Sequence, residues 1–166
     1  MAKAEFEVML RLSIVPPAGQ LHLVPEFDLS ADYESLVMNS CELLSESGCR
    51  FHAEGFGQSH WPVDVSYDLS SVMEQLPSAI AALKCGERTT IDFYGQGVER
   101  SLTFVPAGDG VAIHCSSRTD WEPIPGREWA SQRDVLALFA DLANDFKSAL
   151  SRTCPSVAQI RPFKDW

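Results

Sequence analysis

Basic side chains are nearly absent from the first half of this sequence. Between Leu12 and Leu83 there is one, Arg50, against ten acids: Glu26, Asp28, Asp32, Glu34, Glu42, Glu46, Glu54, Asp64, Asp68 and Glu74. From Lys84 to Trp166 eleven acids face ten bases, so the net charge of −10 resides almost wholly in the first half. A field of that sign repels phosphate backbones and anionic bilayers and draws in basic partners. Nucleic acid and membranes are therefore not expected as partners, and a basic protein is favoured. Solubility alone is the competing reading of the same charge.

Also missing is any apolar run near the roughly 20 residues that span a bilayer. The opening Met1-Ala2-Lys3-Ala4-Glu5-Phe6-Glu7 lacks the continuous apolar block of a secretory leader. The five cysteines (Cys41, Cys49, Cys85, Cys115 and Cys154) are odd in number and show no framework spacing. Reduced thiols in a bacterial cytosol are the expectation. With 166 residues and 45% apolar content, the chain suits one domain over 1–166, with an arm at 155–166.

Catalytic signatures are lacking as well. Cys49-x-x-His52 and the His114-Cys115 pair are the nearest approach to metal ligands. They are dissimilar and lie on expected strands, where neighbours point to opposite faces. Ser59, His60 and Asp64 form the only compact nucleophile set, without a Gly-x-Ser-x-Gly elbow. Cys85 sits at a helix end, where the dipole disfavours a thiolate. Each Gly-x-Gly falls in a turn context and none extends to a phosphate-binding pattern. The expectation is no catalytic residue, metal or cofactor. An enzyme of unfamiliar type, using His52, His60 or His114 with carboxylates, is the alternative.

What is present is alternating and helical periodicity. Phe6, Val8, Leu10, Leu12 and Ile14 alternate with Glu5, Glu7, Met9, Arg11 and Ser13, which predicts a half-buried strand. Pro16-Pro17-Ala18-Gly19 is a turn, and Leu21 and Leu23 suggest a short returning strand. Leu29, Tyr33, Leu36, Val37, Cys41 and Leu44 predict a helix over 30–47, capped by Ser30 and ended by Gly48. Strands follow near 49–54 and 61–67. A helix over about 69–84 either breaks at Pro77 or begins its second half there. Strands near 88–94, 98–105 and 111–116 are joined by turns at Gly95-Gln96-Gly97 and Gly108-Asp109-Gly110. The last helix starts after Ser131, carries Val135, Leu138, Phe139, Leu142, Phe146, Ala149 and Leu150, and closes at Pro155. The expected fold is α+β, a largely antiparallel sheet with about three helices on one face. The other face is then free for water or a partner. Glu54, Asp64 and Asp92 are candidates for it, together with Glu5 and Glu7.

The segment from Ser117 to Ala130 is long for a loop, and such loops tend to be functional. Trp121 stands between Asp120 and Glu122, and Trp129 follows. Tryptophan is enriched at binding hot spots. These four residues join Glu54, Asp64 and Asp92 as the expected protein-binding set. The opposing reading has both tryptophans folded back over the core.

An acidic chain of this kind, closing on a helix such as Val135-Leu136-Ala137-Leu138-Phe139-Ala140-Asp141-Leu142, resembles bacterial toxin-immunity proteins of polymorphic or contact-delivered toxin systems. The resemblance implies a non-enzymatic protein that binds and neutralises a basic toxin domain. A self-associating module, dimerising through the exposed sheet, is the third reading.

Overall fold

The computed structural model describes residues 9–94 and 97–166. The alternation before Met9 and the Gly95-Gln96 part of one turn lie outside the described residues. Strand β1 (Arg11–Val15) is followed by helix α1 (Tyr33–Glu46), β2 (Arg50–Glu54), a π-helical turn (Val65–Leu69) and α2 (Ser70–Lys84). Then come β3 (Thr89–Asp92), β4 (Arg100–Ala107), β5 (Gly110–Ser117), β6 (Arg127–Ser131), α3 (Gln132–Thr153), α4 (Pro155–Ala158) and a closing turn (Phe163–Asp165). The fold is α+β. Its strands form two antiparallel sheets, β1-β2 and β3-β4-β5-β6, where one was expected.

Local chemistry explains each departure from the sequence pattern. The stretch 61–67 alternates like a strand, yet Asp64 Oδ1 accepts from the backbone N–H groups of Tyr67 and Asp68 and starts a helix there instead. Asp64 is therefore a helix cap and not a strand residue. Leu21 and Leu23 do not form a returning strand. Their N–H groups donate to the carbonyls of Arg152 (2.6 Å) and Thr153 (2.9 Å), satisfying the end of α3. The cap of α1 is Asp32, bonded to the Ser35 N–H at 2.8 Å, while Ser30 closes a turn on Asp28. Pro77 does not interrupt α2. Proline has no N–H for the carbonyl of Met73, and the Tyr33 hydroxyl donates to that oxygen at 2.5 Å.

The two sheets are tied together by a buried carboxylate. Glu128, on β6, accepts from the Leu10 N–H before β1 and from the Phe56 N–H after β2, both at 2.6 Å. Phe56 is fully buried with φ at +53°, an uncommon conformation for a bulky residue. At neighbouring Gly55 a Cβ would lie 2.9 Å from Leu10 Cα. Helix α3 lies against β1, β5 and β6, and α2 lies against β3. Phe104 and Phe139 meet edge to face at 5.2 Å between them. The C-terminal residues pack on the helices: Phe163 is fully buried, 5.6 Å from the Phe146 ring.

The outward face of the larger sheet bears the row Thr90, Thr103, His114, Arg127 and the row Val105, Ala112, Trp129. Thr90, His114, Arg127 and Trp129 are exposed. At Asp92 the β3 edge is closed to further strand pairing, because the Gln75 side-chain amide bonds both the N–H and the C=O of that residue.

Removing the Glu128 carboxylate leaves two backbone donors buried without it. Glu128→Ala is expected to lower unfolding free energy by about 2–4 kcal/mol, and Glu128→Gln, which keeps an acceptor, by less. Urea denaturation reads both. A loss below about 1 kcal/mol for the alanine variant would show that this junction does not hold the sheets together.

Candidate functional site

The expected binding loop is shorter than its sequence suggests. Arg127–Ser131 pairs with β5, so the connection runs over 118–126 and Trp129 belongs to a strand. Both ends of that connection are pinned. Arg118 N–H donates to the Glu99 carbonyl, Ile124 N–H to that of Phe56, and Cys115 N–H to that of Gly126. Gly57, at φ +83°, leaves no room for a Cβ against the Ile124 carbonyl.

Trp121 turns inward. Its ring lies 3.4 Å from the Arg100 guanidinium carbon, and the Trp61 ring lies 4.5 Å from the same carbon. Arg100 points into the core from β4 and is 2% exposed. Its Nε and Nη1 have no hydrogen-bond partner. Stacking between two indoles is worth about 2 kcal/mol or more in a desolvated setting, and offsets part of the burial. Burial still lowers the Arg100 pKa, against the raising influence of Cys115 and Asp68. The Cys115 thiol is itself pushed up to about 12 by burial. Asp68 accepts from the N–H groups of Asp64 and Val98, but desolvation raises its carboxyl above the ordinary 3.8. Trp121 therefore acts as a lid over a buried cation.

The remaining expected residues do not converge. Asp120 and Glu122 are exposed on the connection either side of Trp121. Glu54 pairs with Arg11 at 3.4 Å on the smaller sheet. Asp92 pairs with Arg118 at 3.0 Å on β3, and Asp64 caps the π-helical turn. Trp129 stands 55% exposed on the outward face of the larger sheet, its indole against Gly110.

A different surface brings acids and apolar groups together. One groove of about 360 Å³ lies between α1 and the π-helical turn, lined by Met38, Glu42, Ser66, Tyr67, Glu74 and Tyr94 among others. A second, of about 400 Å³, lies between α1 and the 23–27 segment and includes Glu26, Glu42 and Glu46. The grooves share Glu42, and neither lining holds a Lys, Arg or His. Among the described residues, Glu26, Glu42, Glu46 and Glu74 enter no ion pair. Partial burial, and then the nearby Glu34 charge, raise the Glu74 carboxyl above its ordinary value. The sequence offered one clue to this place: Met38 falls on the polar side of the α1 stripe.

The catalytic candidates stay apart or engaged. Ser59 and His60 are exposed, while Asp64 is occupied as a cap. His52 and His60 meet edge to face at 5.1 Å, and His52 Nε2 lies 3.4 Å from Glu54. His114 is exposed and Cys115 buried, on opposite faces of β5. Among the described residues no three His, Cys, Asp or Glu side chains are gathered to hold a metal, and no helix is long and apolar enough to cross a membrane. No protein-family model, curated protein or solved structure matches the chain.

Two stability measurements test the lid. Trp121→Ala is expected to cost about 2–3 kcal/mol in urea denaturation, from lost packing and stacking. Ile124→Ser, on the same connection but 74% exposed, should stay within about 0.5 kcal/mol. Equal effects would place Trp121 outside the core. Asp68→Asn isolates the buried carboxyl. A raised folded-state pKa gives stability that is full below the unfolded value and lost as pH rises through the folded one. Wild-type stability relative to Asp68→Asn should therefore fall as pH climbs above 3.8. A relative stability that rises over that window contradicts the assignment.

Proposed function

We propose that this protein is a non-enzymatic binding domain that receives a basic protein on its α1–α2 face. In its most concrete form it is an immunity protein neutralising a basic bacterial toxin in the cytosol. The observation that carries this reading is the pair of adjoining grooves, whose four glutamates enter no ion pair among the described residues and whose described linings hold no base. Proteins that act on nucleic acid need positively charged clefts, and a rigid acidic face occupies such a cleft and speeds encounter. The exposed apolar side chains in the first groove supply desolvated contact area, which charge alone does not.

A second reading concerns the sheet. Trp129 is a large exposed aromatic on an outward face, which suits a homodimer through the β3–β6 sheet. Light scattering of the wild type and of Trp129→Ser separates it. A concentration-dependent dimer lost in the variant supports this reading, and a monomer throughout removes it.

The first reading is tested by affinity capture from an extract of the native cell at low salt. A stoichiometric basic protein should be retained. Its affinity should fall at least about tenfold in the quadruple variant Glu26→Gln, Glu42→Gln, Glu46→Gln, Glu74→Gln. Retention of no basic protein, or equal retention by the variant, overturns the reading.

A further inference from the structure

Resting on that reading, we propose that the groove lined by Met38, Tyr67 and Tyr94 is the anchor site for a single arginine side chain of the basic partner. Three apolar side chains wall it while standing in contact with solvent: Met38 is 48% exposed, Tyr67 54% and Tyr94 52%. Apolar groups this exposed are common singly, but here three converge on one groove. Its volume of about 360 Å³ sits at the small end of ligand sites, which suits one side chain rather than a helix.

The walls select for the guanidinium group. Tyrosine faces carry negative quadrupole density, and a planar, weakly hydrated guanidinium stacks on them more readily than a compact ammonium. A methionine thioether adapts to the flat edge of such a group. Glu42 and Glu74 supply carboxylates to the same groove, and arginine has five N–H donors to share between them. Among the described residues neither glutamate enters an ion pair. Arg118, which reaches across to β3, is committed to Asp92, to the Ser101 hydroxyl and to the Phe93 carbonyl. Glu34 adds further negative charge beside Glu74. The groove thus has the aromatic side chains and carboxylates of a guanidinium site, and among the described residues no base lines it.

Three nine-residue peptides, identical except for a central arginine, lysine or citrulline, provide the test against the full chain by calorimetry. Citrulline keeps the shape and removes the charge. The arginine peptide should bind about tenfold or more tightly than the citrulline peptide, and more tightly than the lysine peptide. Tyr67→Ala and Glu74→Gln should each weaken arginine-peptide binding about threefold to tenfold, with unchanged thermal melts. Asp109→Asn, in the exposed turn between β4 and β5, should leave it unchanged. Equal binding of the arginine and citrulline peptides, or of the arginine and lysine peptides, overturns the assignment. So does indifference to both groove substitutions. A captured basic protein that binds Tyr67→Ala and Glu74→Gln like the wild type removes the arginine anchor and leaves the broader binding reading standing. Arginine selectivity with no basic protein retained removes the broader reading instead.

Discussion

A carboxylate buried between two sheets sets the frame of this protein. Glu128 takes the N–H groups of Leu10 and Phe56, so β6 grips the start of β1 and the turn after β2 at once. Charge-assisted bonds to backbone donors are among the stronger hydrogen bonds, and here they join segments more than 70 residues apart in sequence. The same junction holds Phe56 in its unusual conformation. Phe56 in turn receives Ile124 and so fixes the connection that carries Trp121 over Arg100. One polar contact thereby orders the smaller sheet, the lid and the buried cation.

That frame divides the surface into two unlike faces. The outward sheet face is studded with threonines, His114, Arg127 and Trp129, and its acid Asp92 is neutralised by Arg118. The α1–α2 face holds glutamates that enter no ion pair among the described residues. Helix α2 can lie there because the carbonyl stripped of its donor by Pro77 is served by Tyr33, the first residue of α1. The contact that keeps α2 intact also docks α1 beside it, and the 360 Å³ groove forms where α1 meets the turn that leads into α2. On the proposed reading the helix pair must be rigid, so that the acidic face is held in place without collapsing onto a base of its own chain.

Much of this was legible in sequence, and the failures have physical causes. Helix α3 was legible because Ser131 caps it and its apolar stripe is regular. The β4–β5 hairpin announced itself through Gly108, which adopts φ +62° beside the Ala107–Gly110 pair. Strand β6 was hidden because its inward positions are Glu128 and Ala130, so a carboxylate stands where alternation looks for an apolar residue. The 61–67 stretch misled in the opposite direction. Its alternation is real, but the Asp64 side chain offers the backbone a helical start that wins locally. The charge asymmetry between the two halves could be read directly. Its assembly into grooves could not, because Tyr94 reaches α1 and α2 only through the tertiary fold. Trp121 looked like an anchor for a partner, and its actual neighbour, Arg100, lies 21 residues before it with nothing in the local pattern to pair them.

Hydrogen exchange of the chain, free and in complex with the basic partner proposed for it, tests the central claim most directly. Binding on the acidic face predicts added protection at residues 33–46 and 65–74, with exchange on β4 and β5 unchanged. Protection confined to the outward sheet face, or none on α1 and the start of α2, would contradict it.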